Sequence, residues 1–282
     1  FDAFRLRDKR KEAFQMITVD LHTHTIASGH GSTATIGQMA RAASERGLRL
    51  LGISDHGPAT PGAAFSSYFQ NLAFAPREHF GVCLLYGVEA NILDGGGLDL
   101  DNSVLARLDY VIASMHRPPR SVIYHGRDDI EAYRDRNTKD YIEAMSNPLV
   151  RIIGHPDNSQ FPYCVHRLTD AAAEYKVILE VNEASLGPDG YHRVAGLDTE
   201  QNYRILIKLR KKKGIPLLIS SDSHGPDRIG QADRALFLLR EQDFPRDLLV
   251  NEHPELLSVP RQPWRSSRPA QTGPDPGVLP LS

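Results

Sequence analysis

The sequence predicts an α/β protein whose parallel strands close into a TIM-like barrel, on three observations. Seven short apolar runs alternate with stretches of helical period along 282 residues, and strand–helix alternation is how a chain builds a parallel sheet. The alternation is regular, which favours a closed barrel over an open doubly wound sheet, and the length suits one such domain. The first strand–helix turn carries no G-x-G-x-x-G, so nothing points to a dinucleotide-binding sheet.

Residues 16–21 open the fold as a buried strand, with Met16 read as the natural start and 1–15 as an N-terminal extension. Thr35 is a candidate N-cap for a helix with Ile36, Met39, Ala40 and Ala43 on one face, ended by Gly47. A second strand, 48–53, runs into Ser54-Asp55-His56-Gly57-Pro58. A helix over 68–79 precedes the third strand, 82–88, which ends in Glu89. Asp94-Gly95-Gly96-Gly97, between two short extended pieces, reads as a hairpin within 90–101. One or two helical turns follow at 103–108.

The fourth strand, 109–114, leads to His116, and the polar stretch 117–137 reads as a surface excursion. A helix over 138–146 stops at Asn147-Pro148, and the fifth strand, 150–153, runs into Gly154-His155-Pro156. Thr169 is expected to cap a helix to Lys176, ahead of the sixth strand at 177–181. Residues 199–213 form a strongly periodic helix with Lys and Arg in its last turn and Gly214 after it. The seventh strand, 215–220, ends in Ser221-Asp222-Ser223-His224, and a helix over 231–240 follows. The barrel domain therefore spans 16–256. The Pro-rich stretch 257–282 has few apolar residues and is expected to be poorly ordered.

Hydrophobic content of 40% and charged content of 24% are ordinary for a globular domain. A net charge of −2 provides no basic field, which argues against nucleic acid as a main partner. No apolar run reaches the roughly 18 residues that span a bilayer, so no membrane partner is expected. Cys83 and Cys164 are too few for a disulfide scaffold, and a cytoplasmic location is the expectation. Cys83, within Val82-Cys83-Leu84-Leu85, is expected to be buried.

Twelve histidines are unusual, and where they fall is informative. Active-site residues of a β/α barrel come from the C-terminal ends of its strands. Every expected strand except the sixth ends in a metal-ligand type: His22, His24 and nearby His30, then His56, Glu89, His116, His155, and Asp222 with His224. In Val19-Asp20-Leu21-His22-Thr23-His24 the two histidines share one side of an extended chain. Taken singly, His30 and His56 fit exposed loops, and Glu89 and Asp222 fit caps or ion pairs. Together these nine donors suit two or three ions at about four ligands each, with Glu89 as the natural bridge.

Asp20-Leu21-His22-Thr23-His24-Thr25, Ser54-Asp55-His56-Gly57, Gly87-Val88-Glu89-Ala90-Asn91, Gly154-His155-Pro156 and Ser221-Asp222-Ser223-His224 resemble the PHP (polymerase and histidinol phosphatase) superfamily. The match is to its stand-alone, YcdX-like phosphatase branch, over about 16–254. The resemblance implies a distorted (β/α)7 barrel with three divalent metal ions, zinc first and manganese or iron as alternatives. It places one ion on His22, His24, Glu89 and Asp222. A second would share Glu89 with His116 and His155, and the third would take His30, His56 and His224. His22, His24, Glu89 and Asp222 carry the catalytic role.

The reaction expected is hydrolysis of a small-molecule phosphomonoester by a metal-activated hydroxide. Asp20 and Asp55 are candidates to orient ligand imidazoles, and Arg117, Arg120 and His125 are candidates to meet phosphate at the rim. Two alternatives are weighed. An amidohydrolase-type enzyme would be marked by a carboxylated lysine at a strand end, and none is present. A polymerase-associated nuclease or structural module should sit in a longer chain or carry a basic groove.

Overall fold

Residues 16–116, 130–157, 160–188 and 198–257 are described by the computed structural model. The expectations for 1–15, for Arg117, Arg120 and His125, and for the tail beyond 257 lie outside them. Eight strands are present among the described residues: β1 (Val19–Asp20), β2 (Leu50–Ile53), β3 (Glu78–His79), β4 (Val82–Asn91), β5 (Tyr110–Ser114), β6 (Val150–Ile153), β7 (Ile178–Asn182) and β8 (Leu217–Ser220). Seven are parallel neighbours in the order β1-β2-β4-β5-β6-β7-β8, and β3 pairs antiparallel on β4. The helices are α1 (Ile36–Glu45), α2 (Ser66–Asn71), α3 (Asn102–Leu105), α4 (Ile130–Ser146), α5 (Val165–Glu174), α6 (Glu183–Leu186), α7 (Thr199–Lys213) and α8 (Asp233–Glu241). None of them is long and apolar enough to cross a membrane.

The sheet is a nearly closed barrel, and the place where it fails to close explains its distortion. Between the ends of β8 and β1 the backbone pairing is a parallel bridge, Thr23 to Ser223, with the His24 N–H donating to the Ser223 carbonyl at 2.8 Å. Below that bridge the buried Asn251 fills the seam. Its Nδ2 donates to the Val19 and Ile219 carbonyls at 2.7 Å each, and its Oδ1 accepts the Ile219 N–H at 2.8 Å. Backbone groups a strand pair would have satisfied are thus satisfied by one amide side chain.

The two-residue period of a strand sorts side chains into two populations. Outward residues such as Leu51, Ile53, Leu84, Val88, Val111, Leu179 and Ile219 pack under the helices. Inward residues Val19, Tyr110, Ile112, Ile152, Ile178 and Leu218 form a separate apolar plug within the barrel. Tyr110 occupies room left by two glycines: a Cβ at Gly87 would lie 2.7 Å from its ring, and one at Gly52 would lie 2.2 Å from its hydroxyl. The hydroxyl donates to the Leu21 carbonyl at 2.6 Å, so the buried phenol is satisfied.

Local chemistry sets the helix ends. Thr35 and Gln38 form a reciprocal capping box on α1, Asp198 caps α7, and Gly214 at φ +65° ends it. Four expectations are corrected. The helix expected over 68–79 covers only Ser66–Asn71 plus a 3₁₀ turn at Leu72–Phe74, because Pro76 blocks continuation. Glu78–His79 instead turns back on β4 through Gly81 at φ +76°. The stretch 117–137 is no plain surface excursion, since its residues from 130 onward belong to α4. That helix carries Glu131–Arg134 and Asp135–Lys139 pairs on its polar face, which disguised it as a loop. Thr169 does not cap a helix; it lies inside α5 with its hydroxyl donating to the Val165 carbonyl at 2.7 Å. Cys83 is exposed, because it shares the face of Leu85 at the lower rim, where the barrel's inside meets solvent.

Candidate metal centre

Following each inward face upward leads from the apolar plug to polar residues. Leu85 is succeeded by Gly87, Glu89 and Asn91 on β4, Ile178 by Glu180 and Asn182 on β7, and Leu218 by Ser220 on β8. All nine expected donors reach this mouth. Glu89 is the hub. Its Oε1 lies 3.3 Å from His22 Nε2, 3.2 Å from His116 Nε2 and 2.8 Å from His155 Nε2. Its Oε2 lies 2.7 Å from His56 Nδ1 and 3.5 Å from His24 Nε2. Asp222 Oδ1 stands 3.1 Å from His24 Nε2 and 3.6 Å from His22 Nε2. His30 is exposed, with its ring stacked on His56 at 4.7 Å between centroids and 5.3 Å from that of His224.

The hydrogen bonds fix which nitrogen each imidazole presents. Glu180 as a carboxylate can only accept, so His22 Nδ1 carries the proton in their 2.7 Å bond, and in the neutral ring the lone pair sits on Nε2. The Ser28 hydroxyl donates to Asp55 Oδ1 at 2.7 Å and therefore accepts from His24 Nδ1 at 2.9 Å. Asn91 spends its amide hydrogens on Asp99, Thr60 and the Gly57 carbonyl, so its Oδ1 accepts from His116 Nδ1 at 2.8 Å. His224 Nδ1 donates to the Asp222 carbonyl at 3.1 Å. Four rings from three segments thus aim lone pairs at the same space. Imidazoles oriented by carboxylate, amide or carbonyl partners are the usual arrangement around a metal.

Those aimed atoms are the ones left over. His22 Nε2, His24 Nε2, both nitrogens of His56, His116 Nε2, His224 Nε2, Glu89 Oε2 and Asp222 Oδ1 are buried without a hydrogen-bond partner. Each such atom costs about 1–3 kcal/mol when left unpaired, so their gathering in one place asks for a compensating cation. The donors fall into three overlapping groups whose ligand atoms lie within 4.8 Å of one another: His22, His24 and Asp222; His24, His56 and His224; and His56, Glu89 and His116. Nitrogen and carboxylate donors in this mixture fit zinc, manganese or iron.

The carboxylates and the imidazoles of the site shift in different directions. Burial alone would push the Glu89 carboxyl up, but the charges of His116, His22 and His56 outweigh it and hold the group well below the usual range. Asp222 is likewise held far down against its burial, by His22 first. Burial drives His24 well below the usual imidazole value and His56 to about 4. For His155 burial is overridden by the hydrogen bond to Glu89, and its ring rises to about 9. Two residues of the site hold strained backbone, His155 at φ +25° and Asp222 at φ +52°.

Asp20 does not orient a ring. It accepts the Ser221 N–H and hydroxyl and the Gly230 N–H, tying the β8 end to β1. Asp55 acts on His24 only through Ser28. Sequence reasoning passed over Glu180, Asn182, Asn91 and Asp99. The available signal was Glu180 itself, an acid inside the apolar run Ile178-Leu179-Glu180-Val181 on the face that points into the barrel; a charge there must have partners.

A family profile described as PHP domain matches residues 20–192. A probable phosphatase of a Thermoanaerobacter species is 39% identical over 236 residues, spanning 83% of this chain and 90% of that protein. One from Acetivibrio thermocellus is 38% identical over 237 residues, with 83% and 90% covered. Among solved structures, the histidinol phosphate phosphatase of Lactococcus lactis, crystallised with zinc, L-histidinol and phosphate, superposes with a TM-score of 0.55 at 18% identity. That likeness covers 81% of this chain and 94% of the other, and it concerns the fold.

Proposed function

The chain belongs to the PHP domain family, and on that premise we propose that it hydrolyses a small-molecule phosphomonoester at a centre of three divalent ions. It is a phosphatase, like the relatives that are 38–39% identical to it over 236–237 residues. The observation that carries the finer reading is the set of buried, unpartnered donors whose lone pairs converge around Glu89. Divalent ions held there would supply an activated water and neutralise phosphoryl charge.

The chain's own residues divide that work. Glu89 faces His22, His116 and His155 with one oxygen and His56 and His24 with the other, so it can join ions on its two sides. Asp222 faces His22 and His24, and His30, His56 and His224 stand together on the outer side. In this reading His22, His24, Glu89 and Asp222 hold one ion, Glu89, His116 and His155 a second, and His30, His56 and His224 a third. The rings of His116 and His224 are about one-fifth to one-quarter exposed, while His22 and His24 are sealed. The phosphate therefore arrives from the side of His30, His116 and His224.

Nothing in the pocket favours C–N hydrolysis, since no lysine is buried among the described residues, and the net charge of −2 does not favour nucleic acid. Purified protein supplied with Mn²⁺ or Zn²⁺ is expected to cleave an aryl phosphate monoester much faster than the corresponding diester or a hydantoin. Cleavage of the diester or hydantoin in preference to the monoester would overturn the assignment.

A further inference from the structure

Strand β7 contributes no expected metal ligand, yet its upper end touches three of them. Glu180 is completely buried and accepts four hydrogen bonds. Its Oε1 receives His22 Nδ1 at 2.7 Å and the Ser220 hydroxyl; its Oε2 receives the His155 N–H at 2.6 Å and Asn182 Nδ2 at 3.2 Å. Asn182, also fully buried, accepts the Ser185 N–H at 2.9 Å through Oδ1 and donates through Nδ2 to Asp222 Oδ2 at 3.1 Å. One acid and one amide, two residues apart on one strand face, thus hold a side chain from β1's end, the backbone of the loop after β6, and a carboxylate after β8.

We propose that Glu180 and Asn182 are the positioning residues of the centre, setting the geometry of His22, His155 and Asp222 without binding an ion themselves. This rests on the metal-centre reading above. The physical case has three parts. A carboxylate surrounded by four donors fixes His22 in the Nδ1–H form, the only neutral form whose Nε2 faces Glu89 and Asp222. The same carboxylate holds the N–H of His155, whose φ of +25° is a conformation a non-glycine residue keeps only when its surroundings enforce it. Asn182 ties Oδ2 of Asp222, whose backbone also sits at positive φ, and this leaves Oδ1 toward His22 and His24. A ring that must give its Nδ1 proton to a buried carboxylate and its Nε2 to a cation is held from both sides. Partners of this kind influence metal affinity by about 10–100-fold.

Glu180→Gln is the sharpest probe, because an amide at this position confronts donors with a donor whichever way it lies. If its oxygen faces His22, its NH₂ opposes the His155 N–H; reversed, it forces His22 toward the Nε2–H form, which cannot ligate. The matched control is Glu183→Gln. Glu183 is buried on the next turn and accepts the Arg234 and Ala235 N–H groups at 3.2 and 2.9 Å, so it braces α8 rather than a ligand. The readouts are Zn²⁺ titration of the full chain against a competing chelator and imidazole ¹⁵N shifts by NMR.

Glu180→Gln is expected to weaken Zn²⁺ binding at least about 10-fold while the far-ultraviolet circular dichroism stays native, and Glu183→Gln to bind as the wild type does. The ¹⁵N spectrum of the wild-type protein should show His22 protonated at Nδ1, a result that stands even if Glu180→Gln fails to fold. Wild-type affinity in a folded Glu180→Gln, or His22 protonated at Nε2 in the wild type, overturns the proposal. Failure of the wild-type chain to bind Zn²⁺ overturns the metal centre instead.

Discussion

Two layers of the barrel interior, built by the same strand faces a few residues apart, follow opposite rules. The lower layer, with Tyr110, Ile112, Ile152, Ile178 and Leu218, is apolar, and its one polar atom of note, the Tyr110 hydroxyl, is satisfied. The upper layer, with His22, Glu89, His116, Glu180 and Asp222, is polar and leaves lone pairs without protein partners. Below, burial removes apolar surface from water and stabilises the fold at roughly 25 cal/mol per Å². Above, burial of polar groups opposes folding until an ion meets the donors. Stability and chemistry are thus separated by height in this barrel, with the strand repeat serving both.

The separation can be broken most sharply from above. His24→Ala or Asp222→Ala is expected to abolish hydrolysis of an aryl phosphate, a larger loss than the about 10–100-fold tied to an orienting partner, with circular dichroism showing an intact barrel. Full activity in either variant would reject the site. From below, Ile112→Ala should lower unfolding free energy by about 2–5 kcal/mol in denaturant titrations, while the turnover of the remaining folded protein stays near that of the wild type. Loss of turnover without loss of stability would show that the layers are not separate. Ser28→Ala removes the hydroxyl between His24 and Asp55, and a drop of about 10-fold in metal affinity is expected from that relay. At the small end, His253→Ala touches only an exposed pairing with Glu255, so stability should stay within about 0.5 kcal/mol and activity should not change.

The same two layers mark what could be read from the sequence. The outer and lower positions are legible because short, nearly continuous apolar runs, such as Ile178, Leu179 and Val181, announce a strand buried on both faces. The ligands are legible because each terminates such a run: Glu89 follows Gly87-Val88, and His116 follows Ala113-Ser114-Met115. What lies beyond reach is pairing across long separations. Glu180 is 158 positions from His22 and 25 from His155, and neither interval leaves a local pattern. Asn251 is equally silent, for it satisfies backbone groups of Val19 and Ile219 that a regular barrel would have paired with a strand. α4 and β3 are hard to read for a local reason: a polar helix face and a two-residue strand leave too little apolar signal.

Metal stoichiometry is the most direct test of converging donors. Inductively coupled plasma mass spectrometry of the wild type after exposure to Zn²⁺ or Mn²⁺ and removal of free ion is expected to find close to three ions per chain, falling by at least one in His24→Ala. A wild-type chain that retains less than one ion, or a His24→Ala chain that retains the full complement, would contradict the reading of the upper layer as a metal centre.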